Sequence, residues 1–173
     1  VTTFKGTLPQ KFGGPNTKTK SLLVVIDLFT RFLWTFEIGQ HTEQTRLDDN
    51  HDSVKSLKCL MRIEGAPHIL HGDNAFSTNA IKSICDTFGC SLHVGRPYIP
   101  TDQAAVERVH RTIKDAVYHY MWDNHLKDWT DYIQDVTFAY NNHKHSSTER
   151  SPFELYRNFD HRFNVNRLMN QKN

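Results

Sequence analysis

The chain has no long apolar run. The longest, Leu22 to Ile26, is five residues, against the roughly 20 that a membrane-spanning helix needs. It has only three cysteines, an odd number at irregular spacing. That excludes a disulfide-framed secreted fold and suits a reducing compartment. It has no excess of one charge: 21 Lys and Arg against 19 Asp and Glu leave +2. Any nucleic-acid surface must therefore come from where the charges sit, not from their sum. There are no internal repeats and no low-complexity tracts. The opening Val-Thr-Thr has no charged-then-apolar leader, so the chain reads as a piece of something longer that is not secreted.

What is present is the profile of one ordinary globular domain. Of 173 residues, 38% are hydrophobic, 12% aromatic and 23% charged, enough to bury a core without staples. The eleven histidines add charge only as pH falls toward about 6.5.

Periodicity sets out the elements. Residues 1–5 read as a short strand, 6–20 as a Gly/Pro/Lys/Thr loop, and 21–28 as a strand apolar on both faces. Residues 31–38 are its hairpin partner across a tight Phe29-Thr30 connection. Residues 39–50 read as a polar loop. Val54, Leu57, Leu60 or Met61 and Glu64 have helical spacing, ended by Gly65 and Pro67. His68 to Gly72 is a strand that runs into Asp73. Ala80, Ile81, Ile84, Cys85 and Phe88 line a second helix capped by Gly89, and Ser91 to Gly95 is the next strand. A loop with Pro97 and Pro100 leads to a long helix from about Ala104 to Asn124. Trp129, Ile133, Val136 and Tyr140 mark another helix. Ser151-Pro-Phe-Glu154 is a capping box that opens a short last helix. The order β-β-β-α-β-α-β-α-α-α implies a mixed α/β sheet, an antiparallel hairpin plus parallel strands, flanked by helices.

Two carboxylates stand out by position. Asp73 follows a buried strand, and strand ends of open α/β sheets border ligand crevices. Glu107 falls in the expected first turn of the long helix. Each also has a plain structural reading, Asp73 as a turn residue and Glu107 as a complement to the helix dipole. Arg111 and Lys114 share the Glu107 face, four and seven residues on, with Arg108 beside it. They make either a solvated salt-bridged face or a metal-holding carboxylate next to a phosphate-holding strip. A divalent-metal phosphodiester site needs two or three carboxylates on rigid elements.

Several stretches, taken together and in order, make the chain recognisable. They are Phe-Lys-Gly-Thr-Leu-Pro (4–9), Leu-Leu-Val-Val-Ile-Asp-Leu-Phe-Thr-Arg-Phe (22–32), His-Gly-Asp-Asn (71–74) and Pro-Tyr-Ile-Pro (97–100). Val-Glu-Arg-Val-His-Arg-Thr-Ile-Lys (106–114), Ala-Tyr-Asn-Asn (139–142), His-Ser-Ser-Thr (145–148) and Ser-Pro-Phe-Glu-Leu (151–155) follow. Over nearly its whole length the chain resembles the catalytic core of retroviral and LTR-retrotransposon integrases, of Ty3/gypsy or related type. The region from Gly39 to Asn50 departs from the pattern and looks like an expanded loop. The resemblance implies an RNase H-like fold with a mixed five-stranded sheet, over one core-like domain, 1–173, with a short helix and tail from about 151. It implies DNA integration by 3′-end processing and strand transfer, with Mg²⁺ or Mn²⁺ as cofactor. DNA and further copies of the chain, as a dimer or higher oligomer, are the implied partners, and the host nucleus the location. Neither a membrane nor a small-molecule substrate is expected.

Carried over position by position, Asp73 and Glu107 are the second and third acidic residues of the family's D,D-35-E pattern. Here 33 residues separate them, because the segment after Asp73 is shortened. Arg108, Arg111 and Lys114 are the implied DNA contacts. The first acidic position, three residues before Gly6, is occupied by Thr3. A neutral hydroxyl is a far poorer Mg²⁺ ligand than a carboxylate. The expected activity is therefore low, and a catalytically dead or domesticated DNA- or protein-binding module is the alternative. Ala104 stands where the family's loop usually carries Gly. Asp27 is usual in the family beside an intact first Asp, so it is read as a turn-capping residue and not a substitute ligand.

Other groups have structural readings. Cys85, Cys90, His71 and His93 lack zinc-site spacing, and Cys85 falls on an apolar helix face. His143, Lys144 and His145 read as a solvated loop. Tyr118, Tyr120, Trp122 and Trp129 read as core or dimer contacts ahead of base-stacking platforms.

Overall fold

The structure is a computed structural model. It describes residues 2–4, 21–39, 51–72, 76–94, 100–125, 128–146 and 148–158, with the side chains of 2–4 and 100–106 left aside. Among the described residues five strands and five helices follow one another in the expected order: β1 Thr2–Phe4, β2 Ser21–Ile26, β3 Leu33–Ile38, α1 Asp52–Glu64, β4 Ile69–Gly72, α2 Asn79–Phe88, β5 Ser91–Val94, α3 Pro100–Asp123, α4 Ile133–Asn142 and α5 Pro152–Arg157. The chain divides into two compact units. One comprises Val1–Val25 and Phe36–Val106, the other Ile26–Thr35 and Glu107–Asn173.

Among the described residues the strands form two sheets, β1-β2-β3 and β4-β5, where a single five-stranded sheet was expected. β1 runs antiparallel to β2, pairing Thr3 with Leu23. β4 runs parallel to β5, pairing His71 with His93. β1 also lies beside β4. Among the described residues no ladder joins the two sheets. The antiparallel hairpin and the parallel pair are both present.

β2 is apolar on both faces because it is covered on both: Leu22, Leu23, Val24, Val25 and Ile26 are all buried. In the first unit Val54, Leu57 and Met61 of α1 join Ile81, Ile84 and Cys85 of α2 and Leu70 of β4 in the core. Thr78 caps α2 by accepting from the Ile81 amide, and Gly89 ends it in the left-handed conformation at φ +69°. That residue needs glycine, since a Cβ is costly there. Gly72 needs it for space. A Cβ at Gly72 would stand 2.7 Å from the Phe76 Cβ, and Phe76 is fully buried. The chain on either side of 73–75 is thereby pinned together. Asp73 itself lies outside the described residues.

In the second unit the β2–β3 turn closes with Asp27 N–H donating to the Phe32 carbonyl at 2.9 Å and Arg31 N–H to the Asp27 carbonyl at 2.8 Å. Arg31 takes φ +65°. Asn141 of α4 then acts as an extra strand edge: its Oδ1 accepts from Leu33 N–H at 2.9 Å and its Nδ2 donates to the Leu33 carbonyl at 2.8 Å. Thr35 and Thr137 hydroxyls pair at 2.7 Å, and both are buried. Ser151 and Glu154 form the expected capping box on α5. Phe32 stacks on Tyr156, and Trp34 meets the same ring edge-on.

Candidate functional site

α3 begins at Pro100, four residues before the expected start. The ring of a proline pre-sets the helical φ and has no N–H to lose at the first position. Glu107 therefore sits about two turns inside the helix, not in its first turn, which corrects the sequence expectation. It also removes the dipole reading, because that effect fades within one turn.

The described part of α3 has two sides. Val109, Ile113, Val117 and Met121, four apart, are buried. Glu107, Arg108 and Arg111 are exposed and Lys114 is half-buried. The Lys114 ammonium lies 5.9 Å from the centre of the Tyr118 ring. Glu107, Arg111, Lys114 and Tyr118 thus run acid, base, base, aromatic along one stripe, as the spacing predicts. The Arg108 carbonyl accepts from the Thr112 hydroxyl at 2.9 Å.

Two further positions were expected at the site from the sequence resemblance. Thr3 is on β1, opposite Leu23, and its side chain is outside the description. Asp73 is outside it altogether. Among the described residues no three His, Cys, Asp or Glu side chains gather at a point that could hold a metal ion.

Asp27 is committed elsewhere. Its carboxylate accepts from the Thr30 amide at 2.8 Å and from the Thr30 hydroxyl, the turn-capping role expected of it. Cys85 and Cys90 are both buried. Burial pushes the Cys85 thiol up to about 12, with hydrogen bonding to Cys90 adding to it. Cys85 is a core residue, as its helix face indicated.

The 143–145 loop is only partly solvated. His143 and Lys144 are exposed, but His145 is half-buried and its ring meets Tyr140 edge-on at 4.8 Å. Burial lowers its pKa, a main-chain bond to Tyr140 raises it, and His143 and Arg31 lower it further. Burial likewise holds the Tyr140 hydroxyl up at about 12, against a smaller opposing pull from Arg31. Of the aromatics, Tyr120 contacts Tyr132 at 5.3 Å, while Trp122 is 71% exposed and so is no core residue. Sequence reasoning missed the Asn141 clasp on Leu33 and the His71–His93 pairing. The signal for the first was an Asn inside an apolar helix period. For the second it was the matching Ile-Leu-His and Ser-Leu-His strands.

Residues 88–152 match the sequence model of the integrase core domain family. The chain is 28% identical over 87 residues to the Transposon Tf2-3 polyprotein of Schizosaccharomyces pombe, half of this chain but 6% of that protein. Among solved structures, the catalytic core domain of BIV integrase superposes with a TM-score of 0.65 at 22% identity. That likeness covers 81% of this chain and 87% of that one. The HTLV-2 integrase catalytic core domain in complex with magnesium, in trimeric form, gives 0.62 at 15% identity, covering 79% and 84%. At these identities the superpositions speak for the fold, which is that of the integrase catalytic cores. With the family match over residues 88–152 and the polyprotein relatives over half of the chain, they make the chain similar to integrase cores, with their RNase H-like fold.

Proposed function

We propose that this core serves DNA integration, as a weak or inactive polynucleotidyl transferase that retains its DNA-binding strip. The observation that carries this reading is the acid-and-base stripe of α3, exposed at Glu107, Arg111 and the adjacent Arg108 and half-buried at Lys114, inside the matched segment 88–152. The reading takes 1–173 as one catalytic core-like domain whose five strands make one mixed sheet. DNA and further copies of the chain are its partners, and it acts in the host nucleus.

The donor set fits one hard divalent ion. Mg²⁺ is held through one or two carboxylates, with water and phosphate oxygens completing its shell. Asp73 and Glu107 supply that number, and the exposed Glu107 carboxylate can reach an ion without further desolvation. They would hold Mg²⁺ or Mn²⁺, which when bound supplies electrostatic stabilisation to a phosphodiester under attack. With Thr3 at the first position the set is one carboxylate short of the bridging ligand that a two-ion site needs.

The remaining roles belong to the basic side chains. Arg111 and Lys114, one and two turns beyond Glu107, would hold backbone phosphates and so set the strand's register. Arg108 supports them from the adjacent edge of the stripe. Arginine offers a planar fork for bidentate phosphate contact and lysine a point charge.

The test is Mn²⁺-dependent cleavage or joining of labelled DNA. The unaltered chain should give little product, Thr3→Asp should raise it above background, and Glu107→Gln should remove what Thr3→Asp restores. Robust strand transfer by the unaltered chain that Asp27→Asn abolishes would show that Asp27 supplies the first ligand.

A further inference from the structure

We propose that His71 and His93 form a binding site for one borderline-soft divalent ion, of the Zn²⁺, Ni²⁺ or Cu²⁺ class, on the outer face of the β4–β5 pair. The two residues are register partners on adjacent parallel strands, so their side chains leave the sheet side by side on one face. That face is open. Ile69, Ser91 and His93 on it are exposed and His71 is half-exposed, whereas Leu70 on the other face is buried.

The ring spacing fits chelation. The imidazole centres are 5.3 Å apart and the planes cross at 81°. Two imidazoles on one tetrahedral zinc, each nitrogen about 2.0–2.1 Å from the metal, hold their ring centres roughly 5 Å apart. The torsion that turns a histidine ring is broad and soft, so the exposed His93 can bring a nitrogen to the shared point without backbone movement.

Donor chemistry separates this site from the carboxylates. Imidazole suits Zn²⁺, Ni²⁺ and Cu²⁺, while carboxylate and water suit Mg²⁺ and Mn²⁺. No third His, Cys, Asp or Glu among the described residues completes a cluster. With two protein ligands the remaining positions are open to water, and the site is an exchangeable one. It is not the four-ligand structural zinc that the cysteine spacing excludes. In sequence His71 stands two residues before Asp73, so an ion here tethers β4, the strand that precedes that position, to β5.

The test is calorimetric titration of the 173-residue chain with ZnCl₂ in excess Mg²⁺, which occupies carboxylate sites, alongside thermal unfolding. One Zn²⁺ per chain should bind and raise Tm, since a ligand of the folded state stabilises it. His93→Ala, an exposed position that leaves folding intact, should weaken binding by about tenfold or more through loss of the second, intramolecular ligand. His71→Ala should do the same, and Glu107→Gln should leave binding unchanged. With Cu²⁺ as a paramagnetic probe, the ring signals of His71 and His93 should broaden first. Undiminished binding in His93→Ala, or loss of binding in Glu107→Gln, would overturn the proposal, and neither result bears on the DNA reading.

Discussion

The clasp between β3 and α4 and the outward stripe of α3 both carry polar side chains in helices, yet they use them in opposite ways. In the clasp, Asn141 exchanges two hydrogen bonds with Leu33, Thr137 pairs with Thr35, and Gln134 donates to the Thr35 carbonyl at 3.0 Å. Asn141, Thr137 and Thr35 are buried and satisfied by the chain itself, because a buried polar group left unpaired is expensive, while Gln134 adds its bond from an exposed position. On α3, Glu107, Arg108 and Arg111 are turned outward to water, where a charge is cheap to keep and available to a partner. Polar residues that hold the fold and polar residues that can meet a ligand are distinguished by burial, not by type.

That distinction is open to breakage by mutation. The largest effect should come from Asn141→Ala, which strands a buried N–H and C=O of Leu33. At about 1–3 kcal/mol for each of the two orphaned groups, the loss should be about 2–6 kcal/mol in urea unfolding. A loss under about 0.5 kcal/mol, typical of surface changes, would mean the clasp is not a stabilising feature. Gly72→Ala comes next. Its Cβ would meet the Phe76 Cβ at 2.7 Å, and relieving such overpacking costs about 1–3 kcal/mol, read as a lower Tm. Lys114→Ala should leave stability within about 0.5 kcal/mol but reduce the salt slope of DNA binding by about one unit. An unchanged slope would make Lys114 only a solvated surface charge.

Much of this was legible beforehand because local physics decides it. The Ser151 box, the Gly89 cap and the Asp27 turn each depend on residues within a few positions of one another, and all three stand as read. The start of α3 was misplaced because proline both breaks helices and opens them, and only the folded backbone says which. The Asn141 clasp was not legible, since it joins residues 108 positions apart. Nor was the facing of His71 by His93, which depends on strand register and not on spacing. Along α3, Glu107 and its basic neighbours were readable from helical periodicity, while the effect proposed for Thr3 is a matter of ligand chemistry that no pattern of hydrophobicity encodes.

The smallest expected effect concerns pH and tests how far the 143–145 loop belongs to the closed part of the molecule. Burial lowers the pKa of His145 in the folded state, and the positive charges of His143 and Arg31 act in the same sense. The unfolded chain, with a histidine pKa near 6.5, therefore takes up the proton first as pH falls. Stability should be constant above that pH and decline as pH drops below it toward the folded value. In His145→Gln the acid-side decline should be shallower, with little change at pH 8, read from urea midpoints across the range. Tyr140 gives the matching sign on the alkaline side. Its folded hydroxyl is held at about 12 by burial, so the unfolded chain ionises first and stability should fall above about pH 10, less so in Tyr140→Phe. If His145→Gln follows the parent at every acid pH, the imidazole is solvated in both states, and the loop belongs with the outward stripe of α3 and not with the clasp.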